Sequence, residues 1–417
     1  MKSGCEQRTR KYPKSSGAFP ALHQTASPFD GPPVRNRISV RARLRVGGEP
    51  PVNVSKKKLG LGVLGLGEGR SIISAGAQSA QWQVVAVCDL NEALGRERCA
   101  EFRLPAACFT KNFDDVLANP AVEVVGIYTP DHLHAEHVIR ALRAGKHVVC
   151  TKPFINQLEQ APELLAAAKK SGRRVMVGQS SRFFAPFARQ RTHFDTGVFG
   201  EIITVEAYYH ADHRWFLEKS WAKQDTFKWL YGGLSHPVDL VRWYLPDIEE
   251  VMGYASLSPN GKKAGLVHAD TMHFVLKSAR GITARISGAY SGPVTPLIRD
   301  SNMSCIIRAT EGASQADYYD LRYAWKTTQQ SVVETFEDKD DYFFRFGGHS
   351  HHAGEYQNYL EYFARCLQSD ETPKPDAREG VATVALMQAM EESTQTGRPV
   401  KVRDLLAKHG LQEVWGA

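Results

Sequence analysis

The sequence contains 417 residues, 42% of them hydrophobic and 23% charged, which is the composition of a globular protein too long for a single hydrophobic core. Its formal net charge of +7 suggests a nucleic-acid-binding protein until the charges are located. Residues 1–58 hold 13 Lys and Arg against three acids, so the remaining chain has 39 basic and 42 acidic residues. The folded part is therefore mildly acidic, and we expect no nucleic-acid partner.

The first 57 residues form a basic extension that mixes Pro, Gly, Ser and Arg without a seven-residue apolar core, so they do not read as a secretory signal. We predict that residues 1–57 are disordered; an Arg-rich organelle transit segment is the alternative. The seven cysteines are odd in number and never spaced C-x-x-C, which indicates reduced thiols in a cytoplasmic protein. No run of 18 apolar residues occurs, so we expect no contact with a membrane interior.

Residues 58–89 have the pattern of a βαβ unit. An apolar run ends at Gly65, a helical stretch follows, and a second apolar run ends at Asp89, 24 residues after Gly65. Gly65 allows a tight turn, and Gly67 allows backbone N–H groups to approach a pyrophosphate at a helix N-terminus. Asp89 can accept hydrogen bonds from ribose hydroxyls. The pattern predicts a dinucleotide-binding turn.

Strands and helices continue to alternate up to residue 178, which predicts a doubly wound parallel sheet, an α/β Rossmann domain, over residues 58–178. The predicted strands after Asp89 are 122–128, 147–150 and 174–177, and the predicted helices are 92–102, 113–117, 133–144 and 158–171.

The pattern changes after residue 178, because strands then follow one another without intervening helices. This predicts an α+β second domain over residues 179–417, with a mostly antiparallel open sheet and helices. The predicted strands are 201–209, 249–257, 271–276, 282–290, 303–309 and 331–335, and the predicted helices are 187–196, 237–245, 355–368 and 378–393.

Several short motifs occur in order along the chain. They are the Gly65 turn, Tyr128-Thr129-Pro130 with Asp131-His132-Leu133-His134, Ala144-Gly145-Lys146-His147 leading to Thr151-Lys152-Pro153, Arg182-Phe183, Gly197-Val198-Phe199-Gly200 and His236-Pro237-Val238-Asp239. On these motifs the sequence resembles the glucose–fructose oxidoreductase, inositol dehydrogenase and rhizopine-catabolism (Gfo/Idh/MocA) family over residues 58–403. The resemblance implies an NAD(P)-dependent oxidoreductase acting on a sugar, a cyclitol or a sugar derivative.

The sequence departs from the family pattern at two positions. Thr151 stands where relatives usually have Glu before the Lys-Pro pair, and Gly232 stands where many have Asp four residues before the catalytic His. The second difference removes an expected proton-relay partner.

The predicted catalytic residues are Lys152, His236 and Asp239. Lys152 follows the carboxyl end of a strand, where a doubly wound sheet binds its ligands, and burial there would lower the lysine pKa. His236 precedes Pro237 at the mouth of a helix, where its imidazole can take a hydroxyl proton. Asp239 lies one helical turn later and can orient that ring.

Cofactor and substrate residues complete the predicted site, and no metal is expected. NAD is preferred over NADP because Asp89 would repel a 2′-phosphate. The expected cofactor-binding residues are Gly65, Gly67, Glu68, Gly69, Arg70, Asp89, Thr129, Pro130, His134 and Lys152. The candidate substrate residues are Arg182, Tyr208, His210, His213 and His352.

Three functions remain open from the sequence. The first is an NAD-dependent dehydrogenase acting on a secondary hydroxyl or keto group of a sugar or cyclitol. The second is an NAD-retaining glycosidase of the same fold that oxidises and re-reduces the sugar without net NADH release. The third is a non-catalytic cofactor-sensing protein, although a sensor would need neither Lys152 nor His236. The resemblance also implies a homodimer or homotetramer.

Overall fold

A computed structural model describes residues 37–41, 57–218, 228–294, 301–318, 321–336 and 354–416. The first element, strand β1 (Arg37–Arg41), belongs to the extension that we predicted to be disordered. It pairs in parallel with residues 331–335, so the expectation of disorder does not hold for these five residues. Apart from Lys57, the rest of the extension lies outside the described residues.

The first domain has a six-stranded sheet in which every neighbouring pair is parallel, as predicted. Its strands are β2 (Leu59–Leu64), β3 (Trp82–Cys88), β4 (Phe109–Thr110), β5 (Val124–Ile127), β6 (His147–Thr151) and β7 (Val175–Gly178). Its helices are α1 (Arg70–Gln78), α2 (Glu92–Glu101), α3 (Phe113–Ala118), α4 (His134–Arg143) and α5 (Ala161–Ser171).

The strand order is β4-β3-β2-β5-β6-β7. The direction of winding reverses between β2 and β5, and the crevice outside the carboxyl ends of these strands is where doubly wound sheets bind ligands. The turn after β2, the end of β5 and the end of β6 meet at this edge. Strands β2, β5, β6 and β7 are mostly buried, which explains their continuous apolar sequences.

The second domain has a ten-stranded sheet in the order β1-β15-β14-β13-β12-β8-β11-β10-β9-β16. Pairing is antiparallel except at β1/β15 and β8/β11, so the predicted open, mostly antiparallel sheet is confirmed. The strands are β8 (Ile202–Ala211), β9 (Ile248–Ser256), β10 (Thr271–Ser278), β11 (Thr283–Ala289), β12 (Ser301–Ala309), β13 (Gly312–Asp317), β14 (Arg322–Thr327), β15 (Ser331–Thr335) and β16 (Val400–Lys401).

The helices of this domain are α6 (Ala185–Asp195), α7 (Trp229–Gly232), α8 (Ser235–Tyr244), α9 (Pro259–Lys263), α10 (Glu355–Ser369), α11 (Ala377–Thr396) and α12 (Val402–Lys408). Helix α8 packs on β8 and α11 packs on β9, whereas α10 packs on α1 of the first domain. Strands β13 and β14 were not predicted, and in β13 the Gly, Ala, Ser and Asp have low strand propensity. Their antiparallel ladders with β12 and β15 stabilise them instead.

Side chains along β8 alternate between two faces of the sheet. Val205, Ala207 and Ala211 are buried under the helices, while Glu206 lies on the opposite face and pairs with Arg285 of β11. No helix of the described chain is long and apolar enough to cross a membrane. The six described cysteines are free thiols.

Candidate active site

Three positions in the turn after β2 show why this turn is built from glycine. Gly65 has a φ of 85°, and a Cβ atom there would lie 2.6 Å from the carbonyl of Tyr128. Gly69, the N-cap residue of α1, has no room for a side chain, because a Cβ would lie 2.2 Å from the Gly65 carbonyl oxygen. At Gly67 a Cβ would meet nothing within 4 Å. The turn is thus closely packed on the protein side and open at Gly67, as a pyrophosphate-binding turn requires.

Arg70 and Asp89, which border this turn, both have hydrogen-bond partners. Arg70 is the first residue of α1, and its guanidinium donates to Glu101, with a distance of 2.7 Å from Nε to Oε1. Asp89 accepts a 2.8 Å hydrogen bond from the Leu66 amide through Oδ2 and another of 2.8 Å from the Asn91 amide through Oδ1. Since a carboxylate has about four acceptor positions, Asp89 can hold the turn and still accept from a ribose.

Lys152 lies directly after β6, half-buried at the carboxyl edge of the sheet. Its Nζ donates a 2.8 Å hydrogen bond to the carbonyl oxygen of Gly232, four residues before His236. Burial lowers the pKa of Lys152 to about 8, although the negative charges of Glu68 and Asp131 oppose the shift. The sequence could not reveal that a backbone carbonyl at position 232 contacts the ammonium.

His236 is the second residue of α8 and is half-buried beside aromatic rings. Tyr209 of β8 has its ring centroid 6.1 Å from that of His236, and also 6.1 Å from that of His213. Trp229 of α7 lies 5.2 Å from Tyr209 and 6.2 Å from His213, again between centroids. These four residues, Tyr209, His213, Trp229 and His236, form what we call the aromatic cluster. Tyr209 was missed from the sequence, although the alternation along β8 would have assigned it to the helix-covered face.

Tyr208 and His210 were predicted at the substrate site, but they point to the face of the sheet opposite His236. The reason is the two-residue period of a strand, since Tyr209 between them faces the helices. The centroid of the His210 ring lies 5.3 Å from that of the Tyr208 ring. His210 Nε2 lies 3.4 Å from Ser287 Oγ. His352, the last candidate, lies outside the described residues.

Asp239 and Arg182 form a buried ion pair. Arg182 Nε donates to Asp239 Oδ2 at 2.7 Å and Nη2 donates to Oδ1 at 2.8 Å, while Nη1 donates to Glu379 Oε2 at 3.0 Å. Both residues are buried. The predictions that Arg182 contacts substrate and that Asp239 orients His236 therefore differ from the observed geometry. A bidentate pair with guanidinium occupies Asp239 because an unpaired charge at this depth would be costly.

We predicted that His134 contacts the cofactor in the crevice. In the structure His134 is buried instead. Its Nδ1 lies 2.7 Å from the carbonyl oxygen of Pro153, and its Nε2 lies 2.8 Å from that of Thr129. Desolvation lowers the pKa of His134, and the two carbonyl contacts oppose that shift. Thr129 is half-buried and Pro130 exposed at the same edge of the sheet.

Two family models match the chain. Residues 59–179 match the model described as an oxidoreductase family, NAD-binding Rossmann fold, and residues 192–402 match the C-terminal alpha/beta domain of the same family. The chain belongs to the Gfo/Idh/MocA oxidoreductase family, and the predicted resemblance is confirmed. It is therefore an oxidoreductase with an NAD-binding Rossmann domain.

Curated relatives include dehydrogenases of different substrates. The chain is 32% identical to 1-carboxy-3-chloro-3,4-dihydroxycyclohexa-1,5-diene dehydrogenase of Comamonas testosteroni, over 44% of this chain and 46% of that one. It is 25% identical to D-xylose 1-dehydrogenase (NADP+) 2 of Haloferax volcanii, over 82% and 98%. It is 29% identical to inositol 2-dehydrogenase of Gluconacetobacter diazotrophicus, over 54% and 65%. The first and third matches thus span less than two thirds of the relative.

Solved structures share the fold. An oxidoreductase from Agrobacterium radiobacter in complex with NAD+, L-tartaric acid and magnesium superimposes with a TM-score of 0.73 at 17% identity, covering 84% of this chain and all of that one. Levoglucosan dehydrogenase in complex with NADH and levoglucosan gives 0.70 at 19% identity, covering 83% and 100%.

Proposed function

We propose that this protein is an NAD-dependent dehydrogenase that oxidises a secondary hydroxyl group, or reduces the corresponding keto group, of a sugar or cyclitol. The observation that carries the proposal is the contact of Lys152 with Gly232. It brings an ammonium group of lowered pKa from the first domain to the turn of the second domain that precedes His236.

The glycine turn fits a dinucleotide. The open position at Gly67 and the first turn of α1 would hold the pyrophosphate, and Asp89 would hold the adenosine ribose. Asp89 supports NAD over NADP, because a 2′-phosphate would meet a like charge. Bound NAD supplies the acceptor for the hydride that leaves the substrate carbon.

His236 and Lys152 would handle the proton that accompanies this transfer. The imidazole of His236 can take the proton of the substrate hydroxyl as the carbonyl forms. The ammonium of Lys152 can donate a hydrogen bond to the same oxygen and stabilise negative charge developing on it. The lowered lysine pKa keeps that proton mobile near pH 8.

The aromatic cluster supports a carbohydrate or cyclitol as the substrate. Aromatic side chains with a few polar groups are typical of small-molecule sites, and ring faces can cover the C–H side of a sugar. The substrates in the names of the curated relatives, xylose and inositol, point to the same class.

A substrate panel tests the proposal. Purified protein would be incubated with NAD or NADP and with D-xylose, myo-inositol, levoglucosan or a nitrophenyl glycoside, while NADH absorbance and nitrophenol release are followed. We expect NADH formation with at least one sugar or cyclitol, and its loss in Lys152→Met. Nitrophenol release without net NADH would instead establish a redox-neutral glycosidase. Tight NAD binding without turnover on a broad sugar panel would contradict the proposal and indicate a cofactor sensor.

A further inference from the structure

We propose that His134 is a positioning residue that fixes the backbone carrying Lys152 by linking the carboxyl ends of two neighbouring strands. This inference rests on the proposed role of Lys152. His134 would touch neither cofactor nor substrate, and would instead act through the Thr129 and Pro153 carbonyl groups.

The position of His134 explains why it can link the two strands. Strands β5 and β6 are adjacent and parallel, so their carboxyl ends lie side by side. Thr129 is the second residue after β5. Lys152 is the first residue after β6, and Pro153 follows it. The imidazole lies between the two carbonyl oxygens, 2.8 Å from that of Thr129 and 2.7 Å from that of Pro153. One side chain therefore spans the edge at which the predicted cofactor crevice opens.

The burial of His134 makes this link rigid. The side chain is only 1% exposed, and it is the first residue of α4, so the helix holds its Cα. A buried carbonyl that loses its hydrogen-bond partner costs about 1 to 3 kcal/mol, so the carbonyl that accepts the ring N–H is held to His134 while the other packs against the ring. Lys152 is the residue next to one of the anchored carbonyls, and its Nζ must reach the Gly232 carbonyl in the other domain.

The protonation state decides how many bonds the ring can donate. A neutral imidazole has one N–H, so it donates to one of the two carbonyls, whereas the imidazolium form donates to both. Burial disfavours the charge most and the nearby His132 also disfavours it, whereas the Pro153 and Thr129 carbonyls and Asp131 favour it. His137, on the same helix, faces the Thr129 hydroxyl. On the Lys152 side the charged neighbours are Glu68 and Asp131.

His137 provides a matched control. Its Nδ1 lies 3.0 Å from Thr129 Oγ1, so it contacts one of the two loops but not the Pro153 carbonyl. A His137→Ala variant therefore removes a histidine from the same helix without breaking the link between β5 and β6.

The test measures Lys152 directly and needs no substrate. The full-length wild type, His134→Ala, His134→Gln and His137→Ala would be labelled with acetic anhydride across a pH series, and the Lys152 peptide quantified by mass spectrometry to give its pKa. We expect a value near 8 in the wild type and in His137→Ala. In His134→Ala the pKa should rise by about one pH unit or more, because the released lysine becomes hydrated. His134→Gln, whose side-chain amide supplies N–H donors for a carbonyl, should recover part of the shift.

Kinetics on the active substrate from the panel provide the second measurement. We expect kcat to fall about tenfold or more in His134→Ala, with the Kd of NAD changed less than about threefold. An unchanged Lys152 pKa in folded His134→Ala, or an equal shift in His137→Ala, would overturn the inference. Unfolding of both His134 variants would also overturn it, because His134 would then serve stability alone. Normal turnover in Lys152→Met would refute the proposed function instead, while the labelling result would still stand.

Discussion

Replacing Arg182 by Met tests the buried ion pair between Arg182 and Asp239, two residues that were predicted to lie in the active site. The side chain of Arg182 is 4% exposed and that of Asp239 is 0% exposed, and two hydrogen bonds of 2.7 and 2.8 Å join them. Met removes the guanidinium and leaves a carboxylate in the interior. Breaking a buried pair in this way costs about 3 to 5 kcal/mol, a large share of the roughly 5 to 15 kcal/mol that stabilises a folded protein.

The double variant Arg182→Met/Asp239→Leu separates charge from packing. It removes both members of the pair, so we expect it to recover most of the stability lost in Arg182→Met. Glu379, whose side chain is 15% exposed and lies 3.5 Å from Lys374 Nζ, retains another cation after the change.

The assay is guanidinium-induced unfolding at pH 7, followed by circular dichroism for the wild type and both variants. A loss below about 1 kcal/mol in Arg182→Met would refute the reasoning, as would a double variant no more stable than the single one. If Arg182 contacted substrate instead, the variant would keep its stability and show an increased KM.

Three further predictions concern the cofactor turn and Lys152. Asp89→Ala should reduce the preference for NAD over NADP by about 1 to 3 kcal/mol, measured by titrating both cofactors, and an unchanged ratio would contradict the assigned role. Gly65→Ala should lower the free energy of unfolding by about 1 to 3 kcal/mol, because the φ of Gly65 is 85° and the new Cβ would meet the Tyr128 backbone. Gly67→Ala should keep the stability of the wild type, because nothing lies within 4 Å of the new Cβ, but it should bind NAD more weakly. In the folded state the pKa of Lys152 is lowered from 10.5 to about 8, so the unfolded chain binds this proton more tightly. The free energy of unfolding of the wild type should therefore rise between about pH 8 and 10.5, by up to about 3 kcal/mol. Lys152→Met should lack this rise in a pH series of unfolding curves and be more stable than the wild type at pH 7.

The parts of the fold that follow from local pattern were predictable. The alternation of apolar runs with helices predicted the parallel sheet, and Gly65 was assigned correctly to the turn at the end of β2. Strand β13 was missed because its sequence is poor in β-branched and aromatic residues, and its antiparallel pairing with the neighbouring strands β12 and β14 overrides that propensity.

The site was only partly predictable, because a residue's partners depend on the tertiary fold. Arg182 and Asp239 are 57 residues apart, and nothing in either motif reveals that they pair. Tyr208 lies on the opposite face of β8 from Tyr209, a strand phase that the burial of Val205 and Ala207 shows. His134 shows the same limit, since its two carbonyl partners come from different loops.

The most direct test of the proposed function is hydride transfer in Lys152→Met, His236→Ala and the double variant. Stopped-flow measurements would follow NADH formation with the substrate found by the panel, and calorimetry would give the Kd of NAD for each variant. If both residues act on one substrate oxygen, each single variant should lower kcat by about 10²- to 10⁴-fold with little change in NAD affinity. The double variant should then lose much less than the product of the two single effects. Near-normal turnover in His236→Ala would contradict the account and place the base elsewhere, with His213 of the aromatic cluster as the next residue to test.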